Sequence, residues 1–206
     1  MGKKTASYFT PKFVQFFKRA AKTSAFTIGR PNVEEFSADD WIYIINGSVS
    51  YRIAPVLYEL IQPASMVAQP APGEFVNLGN KILDIETILK VWESNASVCT
   101  YPAVMTPFSF RGKSGTTHDI FSIAGPASIE PAIVDHKFIE QLGAPEAVDW
   151  FGYSSLGPVL GKFYGGFVEC LIMTTRSSSV QGNETFREIA ERYRPNTGNT
   201  EGKKEA

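Results

Sequence analysis

The run Asp40-Trp41-Ile42-Tyr43-Ile44-Ile45-Asn46-Gly47-Ser48-Val49-Ser50-Tyr51-Arg52-Ile53 constrains the fold more than any other stretch. Its second half alternates. Val49, Tyr51 and Ile53 share one side, and Ser48, Ser50 and Arg52 share the other. Alternation with a period of two belongs to a half-buried strand. Val49, Tyr51 and Ile53 are therefore expected to face a core. The first half is apolar on both sides, as in a strand covered on both faces. Asn46-Gly47 between the halves is either a hairpin turn or a kink in one long strand.

The surrounding chain extends this β reading. Seventeen glycines and thirteen prolines punctuate 206 residues with 15 phenylalanines, a composition of strands and turns rather than of helical bundles. Strand-like runs recur at Val98–Pro102, Met105–Phe110, Ile120–Ala124 and Phe167–Met173, with a turn at Gly112-Lys113-Ser114-Gly115. Pro63–Gly73 reads as an irregular loop, Phe75–Trp92 as short apolar segments and Thr23–Asp40 as a strand-poor connector. Glu130–Leu142 combines a strand-like start with a helical turn. Six to eight short strands of about 5–6 residues point to an all-β sandwich or jelly roll. Neither an internal repeat nor a second domain is apparent. The division expected is an N-terminal arm over 1–25, a β domain over 26–182 and a polar, disordered tail over 183–206, in which Glu184–Tyr193 can form a short helix.

Charge is balanced overall at −1 but not along the chain. Met1–Val33 holds seven basic residues and no acid. Within it, Thr10 suits an N-cap and Pro11 the first helical position. Phe13, Phe16, Phe17 and Ala20 follow helical spacing. Lys12, Lys18, Arg19 and Lys22 carry charge suited either to solvent or to the phosphates of RNA. The two cysteines, Cys99 and Cys170, are read as buried apolar residues in a reducing compartment. No signal peptide or membrane-spanning run is apparent.

Catalytic patterns are weak. His118 and His136 each stand beside an aspartate, Asp119 and Asp135. Neighbours along a strand face opposite ways, so neither pair makes a dyad by itself, and both histidines are read as residues of surface turns. Gly152-Tyr153-Ser154-Ser155-Leu156-Gly157 misses a nucleophile elbow, because Leu156 stands where the second glycine belongs. Phosphate-loop and dinucleotide motifs are not found, nor is metal-finger spacing. The expectation is a protein without catalytic activity, cofactor or metal. A hydrolase using Ser154 or Ser155 with His118 or His136 is the weaker alternative. A cellular β-sandwich binding module for carbohydrate or protein is the stronger one.

Four marks in order resemble coat proteins of picorna-like positive-strand RNA viruses of the dicistrovirus and plant secovirus type. These are Phe13-Val14-Gln15-Phe16-Phe17-Lys18-Arg19, the Trp41–Ile53 strand region, Cys99–Phe110, and Val148–Tyr153 with Gly157-Pro158. The resemblance spans most of residues 8–175. It implies a single eight-stranded antiparallel jelly-roll barrel with a short helical arm. Its partners would be other capsid subunits and, weakly through that arm, genomic single-stranded RNA, with no membrane. It would be found in the virion, and in the host cytoplasm during assembly.

Overall fold

The computed structural model describes residues 27–196 apart from 33, 35–38, 47, 60–67, 78–84, 126–129, 141, 143–147, 164–165 and 176–182. Ten strands form one sheet: β1 (Thr27–Gly29), β2 (Ile42–Asn46), β3 (Val49–Ile53), β4 (Phe75–Asn77), β5 (Tyr101–Arg111), β6 (Thr117–Ile123), β7 (Ala132–Asp135), β8 (Asp149–Gly152), β9 (Val159–Phe163) and β10 (Val168–Ile172). Every neighbouring pair is antiparallel. The described residues are thus mostly β, with ten strands among them where eight are expected. Their order is β4-β1-β2-β3-β10-β9-β8-β5-β6-β7.

That order contains one pattern twice. β1, β2 and β3 follow one another, and β4 returns beside β1; β5, β6 and β7 follow one another, and β8 returns beside β5. Each set is a Greek key, with three sequential strands and a fourth laid against the first. β9 and β10 join the two keys through β8 and β3. A topological repeat is therefore present that the sequence does not display, because pairing order depends on connections rather than on residue similarity.

The sheet curls around a main core. Val49, Tyr51 and Ile53 of β3, Phe121 and Ile123 of β6, Trp150 of β8 and Cys170 of β10 all belong to it. The returning connections supply further members: Tyr58 from the first, and Phe138, Ile139 and Leu142 from the second. Thr175, just past β10, donates to the carbonyl of Ile133 in β7, so the outer edge of β7 meets the chain leaving β10. Where strands cross closely, glycine is required. A Cβ on Gly161 would lie 2.8 Å from Trp150 Cζ3 and from Val148 Cγ1.

The opposite face of the sheet carries helices. α1 (Ile85–Ala96) lies where short apolar segments are expected from sequence. Its Leu89 and Trp92 sit over Tyr43 and Ile45 of β2, Leu160 of β9 and Leu171 of β10 in a second cluster. α2, the short helix His136–Glu140, instead lies on the core side, packing Phe138 and Ile139 into the main core. α3 (Glu184–Arg192) opens the segment expected as a disordered tail. Asn183 caps it by accepting a hydrogen bond from the Thr185 amide. The body therefore extends past residue 182; residues 197–206 lie outside the described residues, as does the whole arm 1–25. β1 likewise lies in what the sequence presents as a strand-poor connector, its three residues too few to register as a pattern.

Candidate functional site

β3 alternates as its sequence alternates. Val49, Tyr51 and Ile53 are at most 1% exposed, and Asn46 pairs with Val49 across a two-residue hairpin. Ser50 and Arg52 take the other face. Arg52 donates from Nε to Glu169 Oε2 at 2.7 Å, and its guanidinium lies 4.6 Å from the Trp41 ring and 5.3 Å from that of Trp92. Glu169 is buried, with Lys162 Nζ at 3.7 Å from its other oxygen. A planar cation stacked on indoles and paired with a buried carboxylate is how arginine stabilises an interior charge. The group links β3, β9 and β10 beneath α1.

One of the two histidines is placed differently from the sequence reading. His118 lies inside β6 and is buried, not in a surface turn. Antiparallel pairing sets His118 opposite Asp135 and Asp119 opposite Val134. Asp119 is thereby diagonal to His136, and its two oxygens lie 2.9 and 3.1 Å from His136 Nδ1. One new pair results, Asp119 with His136; the buried His118 Nδ1 has no hydrogen-bond partner. The signal was present in sequence as His-Asp on one strand and Asp-His on the next, an inverted order that antiparallel strands bring together. Asp135 is engaged separately, by the Lys137 amide and by Lys137 Nζ at 2.7 Å.

A histidine held by a carboxylate can act as a base, but a nucleophile must lie within reach. Ser154 and Ser155 occupy the β8–β9 turn, beyond Gly152, which pairs with Tyr101 at the start of β5. His136 sits beyond Asp135, which pairs with His118 near the start of β6. The length of the seven-residue β6 separates them, about 20 Å at the rise of a strand. A Ser–His pair of those residues is therefore excluded by geometry. Among the described residues, no three His, Cys, Asp or Glu side chains are grouped to hold a metal ion.

Burial acts on both cysteines. It pushes the Cys99 thiol up to about 11 and the Cys170 thiol up to about 12, so neither supplies a thiolate near neutral pH. It also raises Tyr51 well above its usual range. At the surface, hydrogen bonds from Arg30 hold the Asp40 carboxyl below its usual value.

What the outer surface does offer is apolar area. Pro102 and Val104 of β5, with Asp149 and Phe151 of β8, border an open groove of about 540 Å³. Val104 is 38% exposed and Phe108 41%. Tyr153 and Leu156, nearly half exposed, project from the β8–β9 turn, and the Tyr153 ring lies 6.1 Å from that of Tyr101. Lys12, Lys18, Arg19 and Lys22 lie outside the described residues. No described helix is long and apolar enough to cross a membrane. Comparison of the chain with protein-family models, curated proteins and solved structures finds no match.

Proposed function

We propose that this protein is a coat subunit of an icosahedral RNA-virus shell, working by association rather than by turnover. The observation that carries the reading is exposed apolar side chains: Val104 at the groove, with Tyr153 and Leu156 on the β8–β9 turn. Large apolar side chains left exposed in this way support a contact surface. The body is compatible with that role. A jelly roll is built from two Greek keys, and we read this sheet as a jelly-roll relative in which β9 and β10 are inserted between the keys. The fold by itself does not dictate function, so the argument rests on the surface. Its partners would be further copies or related subunits, with RNA held weakly through Lys12, Lys18, Arg19 and Lys22. Its place would be the virion, and the host cytoplasm during assembly.

Sedimentation and electron microscopy of the expressed full chain test this reading. Closed particles of uniform size carrying RNA are expected. Replacing Lys12, Lys18, Arg19 and Lys22 together by Gln keeps the apolar face of the arm and removes its charge, so particles should form with less RNA. A chain that stays monomeric at every concentration overturns the coat reading in favour of a binding module. Particles with unchanged RNA content remove the electrostatic role alone.

A further inference from the structure

β5 and β8 pair only over Tyr101–Ala103. Beyond that ladder the two strands part, and the groove of about 540 Å³ opens between Val104 and Met105 on one side and Val148 and Asp149 on the other. Its lining comes from both faces of the sheet. Ala103, Val148 and Trp150 belong to the main core, and Met105 packs against it. The groove is therefore a cleft leading from the outer face toward the core, not a furrow on the surface.

The core-side lining includes an unpaired donor. Trp150 is 6% exposed, and its buried Nε1 has no hydrogen-bond partner. The neighbours of the ring fix its orientation. A Cβ on Gly161, opposite Trp150 on β9, would lie 2.8 Å from Cζ3. In an indole, Cζ3 and Nε1 lie on opposite edges. The N–H edge is thus turned away from β9 toward β5, where the residue opposite is the small Ala103. The Phe121 ring of β6 stands beyond, 5.0 Å away and edge-on. Of the side chains lining the cleft on that side, Met105 is the one able to yield, because its unbranched chain has three rotatable bonds. A buried N–H without an acceptor is costly, and a ligand that supplies the acceptor removes that cost.

We infer that the cleft binds a small, neutral, apolar molecule carrying a hydrogen-bond acceptor, which receives the Trp150 N–H. Apolar walls with a single placed polar group are the usual make-up of a small-molecule site. Neutrality follows from the rim. Asp149 stands opposite Lys162 of β9, so opposite charges meet there and neither sign of ion is favoured. Trp92 supplies the internal control. Its Nε1 is likewise buried without a partner, but it sits in the second cluster and does not line the cleft. The site lies within one copy of the chain and does not depend on assembly.

Equilibrium dialysis of the full chain against benzonitrile and against toluene tests it. The two probes share a ring and are close in size, but only the nitrile accepts a hydrogen bond. Trp150→Phe keeps an aromatic ring and removes the N–H. It should weaken benzonitrile roughly fivefold, as the loss of one net hydrogen bond implies, and leave toluene unchanged. Trp92→Phe should weaken neither. Should Trp150→Phe fail to fold, the infrared band of benzonitrile bound to the native chain decides. The frequency of a hydrogen-bonded nitrile is expected there, and the frequency seen in dry hydrocarbon overturns the site. Failure of the native chain to bind benzonitrile overturns it too, as does a Trp150→Phe chain that is folded and weakens both probes equally or neither.

Discussion

The two Greek keys share connectivity but solve burial differently. In the first, β2 and β3 pair without interruption from Ile42↔Ile53 to Asn46↔Val49. β3 there buries every second side chain and leaves the others half-covered. In the second, the β5–β6 register shifts between Met105 and Ser109, beside Pro107. β6 is buried at every residue after Thr117, because the core covers one face and α3 the other. The contrast shows in the polar groups as well. The first key places its main ion pair, Arg52–Glu169, on the outer face under α1, stacked on indoles. The second places Asp119, with its His136 partner, at the end of the core-facing row. Equal topology thus permits one key with a regular pattern and one whose pattern is set by what lands on its back.

The contrast can be broken most sharply at β3. Val49→Asp buries a charge among apolar side chains and should cost several kcal/mol, whereas Ser50→Asp on the half-covered face should be mild. Thermal melts of the two variants that coincide would show that the faces of β3 are not distinct. The seam joining the keys comes next. Gly161→Ala drives a methyl to within 2.9 Å of Trp150, Val148 and Cys170, an overpacking expected to cost about 1–3 kcal/mol. Gly157→Ala, whose nearest neighbour would be Ser154 Oγ at 3.5 Å, should leave the denaturant midpoint unchanged. The smallest effect concerns the cover on the second key. Asn183→Ala removes the cap of α3 and should cost about 1 kcal/mol. Hydrogen exchange should then accelerate over Glu184–Arg192 and on β6 while β2 and β3 stay protected. Equal acceleration in both keys would mean that α3 is not a local cover.

Much of the first key was legible because its chemistry is local. A hairpin of alternating residues around Asn46-Gly47 needs no distant partner to be recognised. α1 was legible in principle: Leu89, Trp92 and Ala96 fall on one helical stripe, but the apolar residues around them blurred the period. β6 was not legible as a period-two strand. His118-Asp119-Ile120-Phe121-Ser122-Ile123 does not alternate in polarity, since both of its faces are covered. Nor was the Asp119–His136 pair, whose members are seventeen residues apart and meet only through the register of β6 with β7. The groove beside β5 and β8 leaves no trace in sequence, because its lining comes from strands that are distant along the chain.

The sequence by itself determined that this chain is rich in strands, which face of β3 is apolar, that its first 33 residues carry seven basic residues and no acid, and that its two cysteines are apolar in setting. These follow from side-chain period and composition, which act over a few neighbouring residues. The tertiary structure decided the order of the strands, the double Greek key, the meeting of Asp119 with His136, the docking of α3, and the separation of Ser154 and Ser155 from both histidines. Each of these depends on which strand lies beside which. That choice is made by burying distant apolar faces together and by the paths the connections can take, and neither is written in any one stretch of chain.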